Sequence, residues 1–78
     1  MTAELIWAEQ IKDEVFFTIQ KTMALEEITQ AEVARRTGTQ RYNINKVMRG
    51  KNFVSLEFLL TIAESIGLEI ELKMRLKK

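Results

Sequence analysis

The stretch TQAEVARRTGTQRYNINKVMRG, residues 29–50, decides the fold of this chain. Thr29 is a good N-cap residue, and Glu32 three positions later completes the pattern of a capping box. A helix is therefore predicted to begin here and to run to about Thr37. Gly38 follows as a residue that tolerates the left-handed backbone conformation common at helix ends. We predict a short helix that is closed by a tight glycine turn.

A second helix is predicted after the turn, over roughly Gln40–Arg49, with Gly50 as its stop. At about 100° per residue, Ile44, Val47 and Met48 fall on one arc of this helix. The opposite arc carries only cationic, amide and phenolic side chains, which are Arg41, Tyr42, Asn45, Lys46 and Arg49. The apolar arc is therefore predicted to pack inside, and the polar arc is predicted to face solvent.

Two further helices and a strand flank this pair. Apolar residues at helical spacing predict a long first helix from Thr2 to about Met23. Ser55 is the predicted N-cap of a fourth helix that runs to about Ile66. From residue 68 to residue 77 the apolar period changes from 3.6 to 2, which is typical of a β-strand. The chain is therefore predicted to be mostly α, with a helical domain followed by a C-terminal strand.

The predicted strand has no partner within the chain, so the simplest arrangement pairs it antiparallel with the same strand of a second copy. Two antiparallel registers, centred on Leu72 or on Lys73, oppose unlike charges, whereas a parallel pair aligns like charges. A 78-residue chain without cysteine also gains stability from such pairing. The predicted dimerisation residues are Leu68, Ile70, Leu72, Met74 and Leu76.

The first helix carries more apolar residues than one face requires. Its expected inward stripe consists of Ile11, Val15, Ile19 and Met23. Trp7 and Phe17 lie off this stripe, which indicates a second apolar contact, with the partner subunit as one candidate. We nevertheless interpret Trp7, Phe16 and Phe17 as packing residues and not as a ligand site.

The charge distribution is uneven although the formal net charge is only +1. Residues 1–34 hold seven acids and two bases, while residues 35–53 hold six bases and no acid. A concentrated positive segment favours contact with phosphate groups, and a solvated charged face is the alternative. For Arg35 and Arg36 the two interpretations are evenly balanced.

The residues that most enzymes and metal sites need are scarce. The chain has no histidine and no cysteine, so neither an enzyme nor a metal or other cofactor is expected. No apolar run approaches the ~20 residues that span a bilayer, and the first ten residues lack the features of a signal peptide. The absence of cysteine fits a reducing compartment. A cytoplasmic location is therefore expected.

Two short helices around a glycine turn, the second with a polar outer face, form the layout of a helix-turn-helix. Residues 29–50 resemble the helix-turn-helix of the Cro/C1-type (XRE) family, which includes lambdoid phage repressors and HigA-like regulators. The matching positions are Thr29, Gln30, Val33, Ala34, Gly38, Ile44, Val47 and Gly50. The similarity extends to the helix SLEFLLTIAESIG and covers about residues 16–67. It departs from the family at Thr39, Gln40, Met48 and Val54, and a strand replaces the common fifth helix.

The resemblance implies a fold and a function. The expected fold is a four-helix helix-turn-helix domain at residues 1–67 and a dimerisation strand at residues 68–78 that pairs antiparallel across a homodimer. The expected function is a sequence-specific regulator, in the simplest case a repressor, that binds an inverted repeat in double-stranded DNA with residues 40–49 in the major groove.

The expected DNA contacts fall into two groups. The side chains expected to contact bases are Arg41, Tyr42, Asn45 and Lys46, and arginine and asparagine suit guanine and adenine edges. The side chains expected to contact phosphates are Gln30, Gln40, Asn43, Arg49, Lys51 and Asn52. The alternative is an antitoxin-type interaction module whose acidic N-terminal helix binds a toxin-like partner protein.

Overall fold

The computed structural model describes residues 3–50, 54–71, 74 and 76. These residues form four helices, which are α1 (Ala3–Leu25), α2 (Gln30–Thr37), α3 (Arg41–Arg49) and α4 (Leu56–Ser65). The predicted four-helix architecture is confirmed, and every predicted helix boundary lies within two residues of the observed one. None of the helices in the described ranges combines the length and the apolar character that a bilayer crossing requires.

Local capping interactions define the ends of α2 and the start of α4. Thr29 Oγ1 accepts a hydrogen bond from the Glu32 N–H at 3.1 Å, and Ser55 Oγ accepts one from the Phe58 N–H at 3.1 Å. Gly38 has φ +70°, in the left-handed region, where a residue with a side chain would be strained. The predicted caps and the predicted glycine turn are therefore confirmed.

Of two other local predictions, one is confirmed and one is wrong. α3 ends at Arg49 with Gly50 as its C-cap, as predicted, although Gly50 has φ −177° and ψ 117°, an extended conformation that any residue adopts. The Glu32 carboxylate does not complete the capping box, because it accepts hydrogen bonds from Arg35 and Arg36 instead. The carboxylate bonds the guanidinium groups because hydrogen bonds between charged groups are stronger than those to a neutral amide.

A cluster of buried side chains holds the helices together in the described part of the chain. α2 packs against both α3 and α4, and α1 packs against α4. The largest fully buried side chains come from all four helices and are Ile19, Val33, Ile44, Leu59 and Ile62. Burial of each such side chain contributes about 1.5–3 kcal/mol. The core therefore fixes the inner faces of α2 and α3 and leaves their outer faces to solvent.

The inward face of α1 follows the predicted stripe except near its start. Ile19 and Met23 are buried and Val15 packs against the core, as predicted. Phe16 is buried, as its interpretation as a packing residue predicts, but Ile11 is 40% exposed. Trp7 and Phe17 are 65% and 60% exposed, so their interpretation as packing residues is wrong within a single chain. The cause is the short length of the opposing helix, since α4 covers about 15 Å of a helix about 35 Å long.

The C-terminal segment forms no β-strand in the residues described there, which are 68–71, 74 and 76. The Leu68 N–H bonds the Ala63 carbonyl at 3.0 Å and closes α4, and the segment then leaves the core. Met74 and Leu76 are 86% and 85% exposed, while Leu72 lies outside the described residues. A strand needs hydrogen bonds to a second backbone, so pairing between two copies stays a prediction.

Candidate nucleic-acid interface

α3 presents one face to the core and the opposite face to solvent. Ile44 is fully buried and Val47 is 4% exposed, whereas Tyr42 is 71% exposed. The exposed side chains form what we call the α3 outer face, which consists of Arg41, Tyr42, Asn45, Lys46 and Arg49. No acidic residue occurs in α3. The predicted division of this helix into an apolar and a cationic, amide and phenolic face is therefore confirmed.

A hydrogen bond joins the start of α2 to the α3 outer face. Asn45 Nδ2 donates to Gln30 Oε1 at 3.2 Å, although the two residues are 15 positions apart. An amide pair of this kind uses one donor and one acceptor. The Gln30 amide group and the Asn45 carbonyl oxygen keep hydrogen-bonding capacity for an external ligand. The bond thus positions both side chains at the junction of the two helices.

The turn before α3 positions a second amide and leaves the helix start open. Asn43 Nδ2 donates to Thr39 Oγ1 at 3.1 Å. Gln40 is the N-cap residue of α3, but its side chain makes no capping hydrogen bond. The first N–H groups of a helix without a side-chain cap are suited to an anion, which the helix dipole also favours. Gln40 and Asn43 therefore both lie at the start of α3, where the N–H groups of Asn43 and Ile44 donate to the Gln40 carbonyl oxygen.

Of the remaining residues predicted to contact DNA, Lys46 and Arg49 are described by the structure. A depression of about 300 Å³ brings Asn43 and Lys46 beside Ser55 at the start of α4. Arg49 is exposed in the last turn of α3. Lys51 and Asn52 lie outside the described residues.

The arginines at the end of α2 are held by Glu32. Arg35 Nε donates to Glu32 Oε1 at 2.9 Å, and an Arg35 Nη2 contact to Oε2 completes a bidentate ion pair. The hydrogen bond from Arg35 lowers the pKa of Glu32, with a smaller lowering from Arg36, and the same bond raises the pKa of Arg35. Both groups remain in contact with solvent. The positive charge at the end of α2 is therefore partly neutralised.

Arg36 connects α2 to the end of α4, a role that the sequence does not indicate. Arg36 Nε donates to Glu32 Oε2 at 3.3 Å, and Arg36 Nη1 donates to the Ser65 carbonyl oxygen at 3.1 Å. Ser65 is 29 residues away, and its acceptor is a backbone carbonyl, so no sequence signal marks the pair. This contact favours the structural interpretation of Arg36 over the phosphate-contact interpretation.

Two helices joined by a glycine turn, with a cationic and amide face on the second, define the helix-turn-helix class of DNA-binding proteins. Residues 7–75 match the family described as "Helix-turn-helix domain", which is most of the 78-residue chain. The chain belongs to this family. No curated protein and no solved structure matches it. The narrower similarity to Cro/C1-type members stays a prediction.

Proposed function

We propose that this chain is a sequence-specific, DNA-binding transcriptional regulator that inserts α3 into the major groove. The observation that carries the proposal is the α3 outer face, which has no acidic residue and projects from a helix fixed by the buried Ile44 and Val47. The major groove is about 12 Å wide and admits an α-helix. The protein is proposed to act by binding and not as an enzyme.

The base-contacting side chains are proposed to be Arg41, Tyr42, Asn45 and Lys46. Arg41 and Tyr42 lie in the first turn of α3, the end of a recognition helix that contacts base edges. Arg41 offers paired donors to guanine O6 and N7, and Asn45 offers a donor and an acceptor to adenine. The bond from Asn45 to Gln30 supports this assignment because it restricts the Asn45 side chain before DNA arrives.

The phosphate contacts are proposed to surround this surface. The open start of α3 and the exposed end of the same helix support an approach of the DNA backbone at both ends. The residues proposed for these contacts are Gln30, Gln40, Asn43, Arg49, Lys51 and Asn52. Phosphate contacts position a protein on the duplex, whereas base contacts specify the sequence.

A Cro/C1-type homodimer on an inverted repeat is the proposed binding form. The C-terminal alternation leaves Ile70, Met74 and Leu76 exposed at 47%, 86% and 85%, and a second copy would cover them. Two-fold symmetry then places the half-sites about 34 Å apart, or one helical turn. Repression by blocking polymerase is the proposed output, and the cytoplasm is the proposed location.

Selection of bound sequences from a random DNA pool tests the proposal directly. We expect enriched sequences with dyad symmetry and with half-sites one helical turn apart. The affinity for the selected DNA should fall as salt rises from about 50 to 200 mM, with a log–log slope of about −0.9 for each phosphate neutralised. A pool without enrichment, or an affinity that does not change with salt, would contradict the proposal.

Arg41→Ala tests the assignment of base contacts, with Lys21→Ala as a control of equal charge. Lys21 is exposed on α1 and does not belong to the α3 outer face. Arg41→Ala is expected to cost about 1–3 kcal/mol on the selected site and to relax preference at one base position. Lys21→Ala should leave that preference intact, and Lys51→Ala should weaken all sequences alike. Equal effects of Arg41→Ala and Lys21→Ala on base preference would exclude the assigned role.

An antitoxin-type partner-binding role for α1 is the second candidate function. Trp7 and Phe17 are 65% and 60% exposed, and the same helix carries the exposed Glu9 and Glu14. Exposed aromatic residues with acidic neighbours suit a basic, partly apolar protein surface. The double variant Trp7→Ala/Phe17→Ala should lose capture of the product of an adjacent gene and keep its DNA affinity. Capture at the wild-type level by this variant would remove the candidate.

A further inference from the structure

An apolar groove runs between α1, α4 and the start of the C-terminal segment. Its volume is about 440 Å³, and its apolar lining includes Ile11, Val15, Leu60 and Ile70. We call it the α1–α4 groove. Ile11 and Ile70 are 40% and 47% exposed, which leaves isoleucine surface in water although isoleucine is among the residues most often buried. The groove is therefore an uncovered apolar surface.

We propose that the C-terminal segment of a second copy fills the α1–α4 groove with Met74 and Leu76. The inference rests on the homodimer proposed above and assigns the surface on which the two copies meet. Met74 and Leu76 of the same chain do not fill the groove, since they are 86% and 85% exposed. In the single chain, these two side chains and the lining of the α1–α4 groove are therefore apolar surfaces that remain exposed to solvent.

The proposed strand pairing delivers the same side chains to the groove in either antiparallel register. With the centre at Leu72, Leu76 of the second copy lies opposite Leu68, and with the centre at Lys73 it lies opposite Ile70. Leu68 and Ile70 both line the groove. Opposed residues of an antiparallel pair project to the same side of the ribbon. An apolar residue of the second copy therefore faces the groove in both cases.

Charge complementarity favours this occupant over an unrelated apolar peptide. Glu14, Glu69 and Glu71 line the groove and are exposed. Residues 73–78 contain no acid, and their cations are Lys73, Arg75, Lys77 and Lys78. Opposite charges placed across paired strands stabilise the pair, whereas like charges repel. In either register the cations of the second copy lie opposite Glu69 and Glu71 across the paired strands, while its apolar side chains face the groove.

Cysteine cross-linking between two tagged copies tests the proposal, because the chain has no cysteine of its own. One copy carries Thr18→Cys, at an exposed position that lines the groove. The other copy carries Leu76→Cys or, as a control, Lys77→Cys, which the alternation places on the opposite side of the ribbon. Disulfide geometry is strict, so we expect Leu76→Cys to cross-link at least about tenfold faster than Lys77→Cys.

A second measurement uses a variant whose folding is not in question. Met74→Glu/Leu76→Glu changes side chains that are exposed in the single chain, so the helix content should not change. We expect the dissociation constant of the dimer to rise at least about 100-fold. Gln10→Glu/Gln20→Glu adds the same charge at exposed α1 positions outside the groove and should leave the dissociation constant unchanged.

The possible outcomes separate this inference from the homodimer itself. A stable dimer that cross-links equally fast through Leu76→Cys and Lys77→Cys, or through neither, would overturn the groove assignment and leave the homodimer in place. A dimer that both charge variants weaken equally would also overturn the assignment. A chain that sediments as a monomer at every concentration would remove the homodimer and the groove assignment together.

Discussion

Arg36→Ala is the perturbation whose consequences follow most directly from the structure. Arg36 donates to the Ser65 carbonyl oxygen at 3.1 Å, at the end of α4. α4 has no basic residue in its own last turn. Arg36 therefore supplies from another helix the cation that favours a helix C-terminus and bonds its last carbonyl groups. Removal of the side chain breaks the described hydrogen bond between α2 and the end of α4.

The expected cost of Arg36→Ala is about 1 kcal/mol. A hydrogen bond from a charged group is worth about 1.5–3 kcal/mol, and partial exposure reduces this value. The Arg36 side chain is 38% exposed, and we assign no contribution to its surface pair with Glu32. For a domain of this size, 1 kcal/mol lowers the melting temperature by about 4–8 °C. Thermal unfolding followed by far-UV circular dichroism measures the change.

Arg35→Ala is the matched control, because it removes the same charge from the neighbouring position. The Arg35 side chain is 74% exposed and bonds Glu32 but not α4. Its removal should lower the melting temperature by less than Arg36→Ala does, because the pair with Glu32 is exposed. If both variants lower the melting temperature equally, the contact with α4 contributes nothing beyond surface charge. Arg36→Lys retains the charge and should recover part of the loss.

DNA binding by Arg36→Ala also decides between the two interpretations of this residue. A structural role predicts that the dependence of affinity on salt is unchanged, because no phosphate contact is lost. A phosphate contact predicts that the log–log slope becomes shallower by about one unit.

Further predictions concern single side chains. Gln40→Ser should raise stability by about 0.5–1 kcal/mol, because serine can cap α3 whereas Gln40 does not; an unchanged melting temperature would contradict this. Ile44→Ala should cost about 2–5 kcal/mol in urea unfolding, and a loss below about 1 kcal/mol would contradict its full burial. The lowered pKa of Glu32 stabilises the fold above the ordinary value of 4.5, and the effect is lost as pH falls through the folded-state pKa. Glu32→Gln should therefore flatten the acid side of the stability profile, and a slope equal to that of the wild type would exclude this effect.

The helices of this chain are predictable because their determinants are local. Thr29 and Ser55 each bond a backbone N–H three residues away, and Gly38 acts on its own backbone. Such signals lie within a short window of sequence. The two faces of α3 follow from helical periodicity in the same way. The fold of residues 29–50 and 54–67 could therefore be predicted nearly completely.

The side-chain partners could not be predicted, because they depend on how the helices cross. Asn45 donates to Gln30, and Arg36 donates to the Ser65 carbonyl oxygen. The Glu32 carboxylate accepts from arginine side chains and not from the backbone N–H of a capping box. In each case several donors or acceptors could pair with the same group, and the crossing of the helices determines which of them lie within reach. Periodicity gives the direction of a side chain but not the atom that it meets.

The packing of α1 shows a second limit of prediction from sequence. Periodicity predicts the stripe that packs, because Val15, Ile19 and Met23 reach the core, but it does not predict how far along the helix the packing extends. Ile11 is 40% exposed because the surface available on α4 is short. Trp7 and Phe17 form a second apolar surface that has no cover in the described chain. Its role depends on a second copy or a partner, which a single sequence does not contain.

The distribution of ion pairs explains why α3, and not α2, is the helix proposed to enter the DNA major groove. Both arginines of α2 contact Glu32, so one of their two positive charges is offset. In the described part of the chain, no ion pair involves Arg41, Lys46 or Arg49 of α3, and this helix has no acid of its own. The field that attracts a phosphate backbone is therefore strongest at α3. The neutral amide of Gln30 lies at the start of α2, beside the α3 outer face. α2 can therefore support a DNA contact while α3 occupies the DNA major groove.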